Sequence, residues 1–265
     1  MKLFSLPSKL RTLNDRNKEF LSAYYQDSIL QRQYIEFSLL QMEAVHVHNE
    51  TFTKFRGCHK GESVAVIGSG PSLDKWECPP ECVQIGVNGT LIAENVDLDY
   101  LFIQDYDPSL FGKMEELEYR LGDVHKFFGC HYMLPKVKPI PDYILDAFHA
   151  ERYFFYDNPI KMFPFDFTID VSSRPFITYG STIFVALQFA LYTHPKTLYI
   201  VGCDCTAGHF SAHRNEIHDK DVGGINNIIR GWNRFSTFAA ALFPDVEIIS
   251  MNPVGLRGMF HDFYT

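Results

Sequence analysis

Seven short apolar runs, each bounded by turn residues, constrain this chain more than any other feature: Val64–Ile67, Val83–Val87, Leu98–Ile103, Lys126–Tyr132, Arg152–Tyr156, Leu198–Val201 and Val246–Ser250. Runs of this length without strict polar alternation are how strands buried on both faces read. Between them the spacing predicts helices over Pro108–Leu121, over Ser181–Tyr192 and from about Gly224 to Leu242. Strands alternating with helices imply an α/β fold with a doubly wound, Rossmann-like, mostly parallel sheet. The ligands of such a sheet sit at the carboxyl ends of the strands.

Ahead of the first run, Leu13 to Phe55 is polar with apolar residues at helical spacing, such as Phe20, Leu21, Tyr24, Ile29, Leu30, Tyr34 and Leu39. It reads as an N-terminal helical extension, residues 1–60, serving packing or homo-oligomerisation and followed by a catalytic domain, 61–265. With 265 residues and 46% apolar content, the chain can bury one large core. A formal charge of -8 argues against a general nucleic-acid binder. The chain lacks both an apolar stretch of roughly 20 residues and a signal-peptide core, so a cytoplasmic protein is expected, with peripheral association at the inner membrane face left open. Six cysteines in a chain of this size imply free thiols. Cys78 and Cys82 bracket two prolines, and Cys203 and Cys205 end an apolar run, so neither pair reads as a zinc site.

The first run leads straight into Gly68-Ser69-Gly70-Pro71-Ser72. Two glycines let the backbone turn tightly and approach a ligand, and amides at a following helix start would face a phosphate. Flavin and nicotinamide proteins open similarly but need a third small residue, where this chain has Leu73. They also need an acidic residue ending the second strand, where this chain has Asn88-Gly89. The third run is followed by Asp105 and Asp107, which could cap the next helix or hold Mg²⁺ through substrate phosphates. Thr178-Tyr179-Gly180-Ser181 opens a helix with an almost wholly apolar body, and its N-terminus suits a phosphate or carboxylate. After the sixth run come Asp204 and then His209, His213 and His218, histidines suited to general-base work.

Gly-x-Gly-Pro-Ser-Leu from 68, Val-Asn-Gly from 87, Asp-Pro-Ser-Leu-Phe from 107, Ile-Thr-x-Gly from 177 and Tyr-Ile-Val-Gly-x-Asp from 199 form an ordered set between about Val64 and Pro253. The set resembles the bacterial sialyltransferases of the Campylobacter lipooligosaccharide type. It equally resembles the group that includes the motility-associated flagellin glycosyltransferases and the archaeal hydroxymethyl-dihydropterin pyrophosphokinases. The resemblance implies a CMP-linked sugar donor and a glycan acceptor as partners, a histidine base, no metal and no resident cofactor. It places Ser69 at the asparagine position of the glycine loop, Asn88 at a nucleotide-contacting asparagine and Asp107 at another asparagine. Thr178, Tyr179 and Gly180 match a Thr-Ser-Gly turn beside the nucleotide. The expected nucleotide-binding set is therefore Gly68, Ser69, Gly70, Pro71, Ser72, Asn88, Gly89, Asp107, Thr178, Tyr179, Gly180, Ser181 and Asp204.

For the base, the resemblance points to His218 through the following Asp219-Lys220-Asp221, and to His209 or His213 through the Gly-x-Asp…Gly-His run. Where the sialyltransferases carry an arginine before the Thr-x-Gly turn, this chain has Phe176, with Arg174 two residues earlier. The reading implied is transfer of a sugar, a nonulosonic acid among the candidates, in surface-glycan or flagellin biosynthesis. Two alternatives stand beside it: a Mg²⁺-dependent pyrophosphokinase acting on a pterin with ATP, and a non-catalytic nucleotide-binding module.

Overall fold

The computed structural model describes residues 18–19, 22–23, 26–28, 42–105, 108–131, 140–157, 167–206, 210 and 222–265, with the backbone alone described at 108–110 and 222–224. The chain divides into two compact units, Met1–Glu43 and Ala44–Thr265. In the first, residues 18–19, 22–23, 26–28 and 42–43 are helical, and the rest of the arm lies outside the described residues. The second unit takes in residues 44–60, which the sequence pattern places in the extension. The reason is packing: Phe52 and Phe55 of this segment are buried in the same core as the strands.

Among the described residues nine strands form one sheet: β1 Ser63–Ile67, β2 Cys82–Val87, β3 Tyr100–Ile103, β4 His125–His131, β5 Ala150–Tyr156, β6 Phe176–Ile177, β7 Thr197–Val201, β8 Glu247–Met251 and β9 His261–Phe263. Every pairing is parallel, in the order β6-β5-β4-β3-β2-β1-β7-β8-β9. From β1 the chain steps outward strand by strand to β6, then returns to the far side of β1 and grows the other way. The direction of growth reverses between β1 and β7, where Ile67 lies opposite Val201. Loops leaving neighbouring strands diverge at such a point and open a crevice beyond the strand ends. All seven predicted runs are strands; the two-residue β6 and three-residue β9 add to them.

Among the described residues, 42–52 are helical, and the helices that follow are α1 Pro108–Glu116, α2 Glu118–Leu121, α3 Asp142–Ala147, α4 Ile183–Tyr192 and α5 Val222–Leu242. The single helix expected over Pro108–Leu121 is interrupted at Leu117, and α3 is additional. After β1 and β2 the connections carry only 3-10 turns, Pro71–Lys75 and Asn88–Ile92. All ten residues of α4 are buried, as a helix apolar on every side must be. It packs on β1, β2 and β6. Its one side-chain amide, that of Gln188, donates to the carbonyls of Ile177 (2.9 Å) and Phe184 (2.7 Å), tying the helix to the short β6. Phe102 and Phe127 stack at 4.7 Å between centroids, and Phe189 lies 5.2 Å from Phe102. Trp232 of α5 meets Phe184 at 5.1 Å.

His48 closes a gap on the flank of β5. Because β6 pairs only with Phe155 and Tyr156, the amide of Phe154 lacks a strand partner and donates to His48 Nε2 at 2.8 Å. Nδ1 must then carry the proton, which it donates to the carbonyl of Val171 at 2.8 Å.

Candidate functional site

At the carboxyl ends of β1 and β7 the glycine loop closes against the protein itself. The amide of Gly68 donates to the carbonyl of Val201 at 2.8 Å, that of Gly70 to Gly202 at 2.7 Å, and that of Ser72 to Asp204 Oδ2 at 2.9 Å. Three amides of the expected nucleotide loop are thus committed internally, and the turn that follows, where the sequence pattern expects a helix start facing a phosphate, is a five-residue 3-10 segment rather than an α-helix. The glycines are needed for this contact. A Cβ on Gly68 would lie 2.7 Å from the Gly202 carbonyl oxygen, and one on Gly70 would also strike the carboxylate of Asp204. Gly202 itself has φ +62°, and a Cβ there would strike the carbonyl of Gly68. The loop after β8 joins in, the amide of Gly255 donating to the carbonyl of Asp204 at 2.9 Å.

A second polar group lies over β2 and β3. Asn88, at φ +44°, uses its whole carboxamide inside the protein. Its Nδ2 donates to Asp105 Oδ2 (2.7 Å) and Thr182 Oγ1 (3.0 Å), and its Oδ1 accepts from the amides of Gln104 (2.9 Å) and Asp105 (3.4 Å). Thr182 Oγ1 in turn donates to Gln104 Oε1 at 2.9 Å. The N-terminus of α4 is thereby fixed over the ends of β2 and β3. Tyr179 and Gly180 make the turn into it with φ of 46° and 78°. Tyr179 is fully buried and its ring packs on Phe167 and Phe184, so what it brings to this edge is its backbone and not its side chain. Gly180 is exposed and Ser181 half-buried, and the amides of Thr182 and Ile183 have no backbone acceptor among the described residues. A helix start of this kind carries partial positive charge.

Further along the same edge stand two residues that the sequence reading passed over. His131 ends β4 and Asp157 follows β5; His131 Nε2 lies 3.2 Å from Asp157 Oδ2, while Thr178 Oγ1 donates to Asp157 Oδ1 at 2.8 Å. The hydrogen bond with His131, joined by that from Thr178, holds the Asp157 carboxyl below its usual range despite partial burial. Their sequence signal was a polar residue at the carboxyl end of an apolar run, His131 within the last two residues of Lys126–Tyr132 and Asp157 directly after Arg152–Tyr156, the position a parallel strand delivers to the ligand edge. Gly89 is buried in the turn after β2. Asp107, His209, His213 and His218 lie outside the described residues.

All six cysteines are free thiols, and burial pushes the Cys82 thiol up to about 12. Among the described residues there is no group of three metal-ligating side chains, and no helix is long and apolar enough to cross a membrane.

No family model matches the chain, and no curated protein matches it in sequence. Solved structures do. A MAf glycosyltransferase from Magnetospirillum magneticum AMB-1 matches at 11% identity and a TM-score of 0.44, over 84% of this chain and 38% of that one. The alpha-2,3/8-sialyltransferase CstII matches in two crystal structures, one of a single-site mutant and one of the monomeric protein, at 15% identity and TM-scores of 0.39 and 0.38. They cover 71% of this chain and 81% and 80% of those. These are the two transferase groups whose motifs the sequence resembles. This chain spans about two fifths of the length of the Magnetospirillum enzyme.

Proposed function

We propose that the protein is a glycosyltransferase that moves a sugar, a nonulosonic acid among the candidates, from a CMP-type nucleotide donor to a hydroxyl of a glycan acceptor, without a metal. The observation that most supports this reading is the division of one sheet edge. The start of α4 offers amides over β2 and β3, and the loop after β7 brings a buried carboxylate to the neighbouring seam between β1 and β7. Two strand spacings separate the two, about 10 Å. Hydrogen-bond donors suit a phosphate leaving group and acceptors suit hydroxyls, so a sugar nucleotide laid along this edge meets both.

In this mechanism the amides of Thr182 and Ile183 stabilise the charge that gathers on the departing phosphate. A histidine among His209, His213 and His218 takes the proton from the acceptor hydroxyl. The nucleotide and the acceptor are the implied partners, and the cytoplasm, at or near the inner membrane face, is the proposed location.

The test is a thermal-shift series with CMP, UDP, GDP, ADP and ATP, with and without Mg²⁺. Binding to the folded state raises the melting temperature with the logarithm of ligand occupancy. A shift with CMP that does not depend on Mg²⁺ is expected. A shift confined to ATP with Mg²⁺ would replace this reading with pyrophosphoryl transfer.

A further inference from the structure

Buried polar atoms in folded proteins nearly always have hydrogen-bond partners. Two that do not lie together at the seam of β1 and β7: Asp204 Oδ1 and Ser72 Oγ are buried without a partner among the described residues. Asp204 is only 3% exposed, and its other oxygen accepts from the Ser72 amide at 2.9 Å. The two unpaired atoms therefore belong to residues already in contact. The surrounding backbone is arranged to keep the carboxylate there, since Gly70 leaves it the room a Cβ would take. A carboxylate oxygen left buried and unbonded costs stability. Its retention points to a ligand that supplies the missing donor.

The chemistry of the pair narrows that ligand group. A carboxylate oxygen accepts hydrogen bonds and repels negative charge, so a phosphate does not belong beside it. Three amides of this loop, those of Gly68, Gly70 and Ser72, are already spent on Val201, Gly202 and Asp204. A serine hydroxyl both donates and accepts. Acceptor and hydroxyl side by side match a vicinal diol, one hydroxyl donating to Asp204 Oδ1 and its neighbour meeting Ser72 Oγ. We propose that Ser72 and Asp204 hold the ribose hydroxyls of the nucleotide, with the phosphate directed to the start of α4. The assignment rests on the sugar-nucleotide reading above and says which end of the nucleotide lies where.

Calorimetric titration of the full chain with CMP and with 2′,3′-dideoxy-CMP tests it, with the same pairs of UMP, GMP and AMP run alongside. The unsubstituted protein should bind the ribo form about tenfold or more tightly than the dideoxy form, as hydrogen bonds to a charged acceptor warrant. Asp204→Asn and Ser72→Ala should each bring that ratio toward one while dideoxy affinity stays within about threefold. Ser72→Ala should also keep or raise the ligand-free melting temperature, because it deletes an atom with no partner; a residue with a structural role would lower it. Equal affinity for ribo and dideoxy forms overturns the diol seat and leaves the transferase reading standing. A ratio that neither variant changes overturns the assignment to these two residues. Failure of all four ribonucleotides to bind overturns the seat and the transferase reading together.

Discussion

His48 and Asp204 are both buried ionisable side chains held by backbone groups, yet the fold treats them differently. Both ring nitrogens of His48 are bonded, one to Phe154 and one to Val171, and burial lowers its pKa to about 4. Asp204 has one oxygen bonded to the Ser72 amide and the other left without a partner. A buried polar group with every valence used is a structural tie. The half-used carboxylate at the switch point of the sheet is the ground for the proposed ribose seat. Asn88 falls with His48 in this division, since all its carboxamide bonds are internal.

Four outcomes would break or sharpen the comparison. The largest effect concerns neither residue. If the acceptor base is one of His209, His213 and His218, then one of the three alanine variants should lose about two to four orders of magnitude in turnover with donor affinity retained. Near-native turnover in all three would move the role to the described edge, where His131 is the one imidazole at a strand's carboxyl end among the described residues.

Next comes acid stability. The His48 ring is kept neutral in the fold, while in the unfolded chain it takes a proton below its ordinary pKa of 6.5. The unfolded state thus binds the extra proton between pH 6.5 and about 4, so stability present above pH 6.5 is lost as pH falls through that window. The loss levels off below about 4, once the folded ring is protonated as well. The total is about 3 kcal/mol at most. Urea titrations at pH 7 and 4.5 should show the slope, and His48→Gln should remove this component while leaving nucleotide affinity at pH 7 unchanged.

Gly70→Val comes third. Its side chain would meet the Gly202 carbonyl and the Asp204 carboxylate, so it should destabilise the fold by about 1–3 kcal/mol as an overpacked site does. Gly180→Ala makes the contrast: only Asn227 Nδ2 lies near its Cβ, at 3.5 Å, and the cost of its φ of +78° should stay near 1 kcal/mol. Equal melting temperatures for the two variants would mean that the seam tolerates more than its contacts allow. The smallest effect is expected for Asn88→Ala, which leaves the amide of Gln104 without its acceptor and should cost stability by about 1 kcal/mol. A large loss of affinity with unchanged stability would instead put its carboxamide on the ligand.

The strands that position the site were legible because burial on both faces writes itself as an apolar run, and β1 to β5, β7 and β8 all follow such runs. The pair Phe176–Ile177 and the triplet His261–Phe263 are too short to carry a period, and their strand character comes from the neighbours they join. The Gly68–Ser72 loop was legible as a tight turn but not in its purpose. Its glycines make room for Gly202 and Asp204, more than 130 residues away, and no local pattern reports a contact at that separation. Tyr179 likewise reads as a site residue from its motif, although the turn sends its ring into the aromatic core. His131 and Asp157 are single polar residues at the carboxyl ends of hydrophobic runs, and only the parallel order of β4 and β5 shows them to be neighbours.

The strand order also sets a sequence of events during synthesis. β1 to β6 are laid down as neighbours in the order they are made, so each new strand can add to the last. β7 must instead travel back to β1 across more than 100 residues, and contacts of such high sequence separation are the slow ones to form. The seam between Ile67 and Val201 therefore closes late, and a nascent chain that has not yet extruded β7 has six of the nine strands but no place for Ser72 and Asp204 to meet.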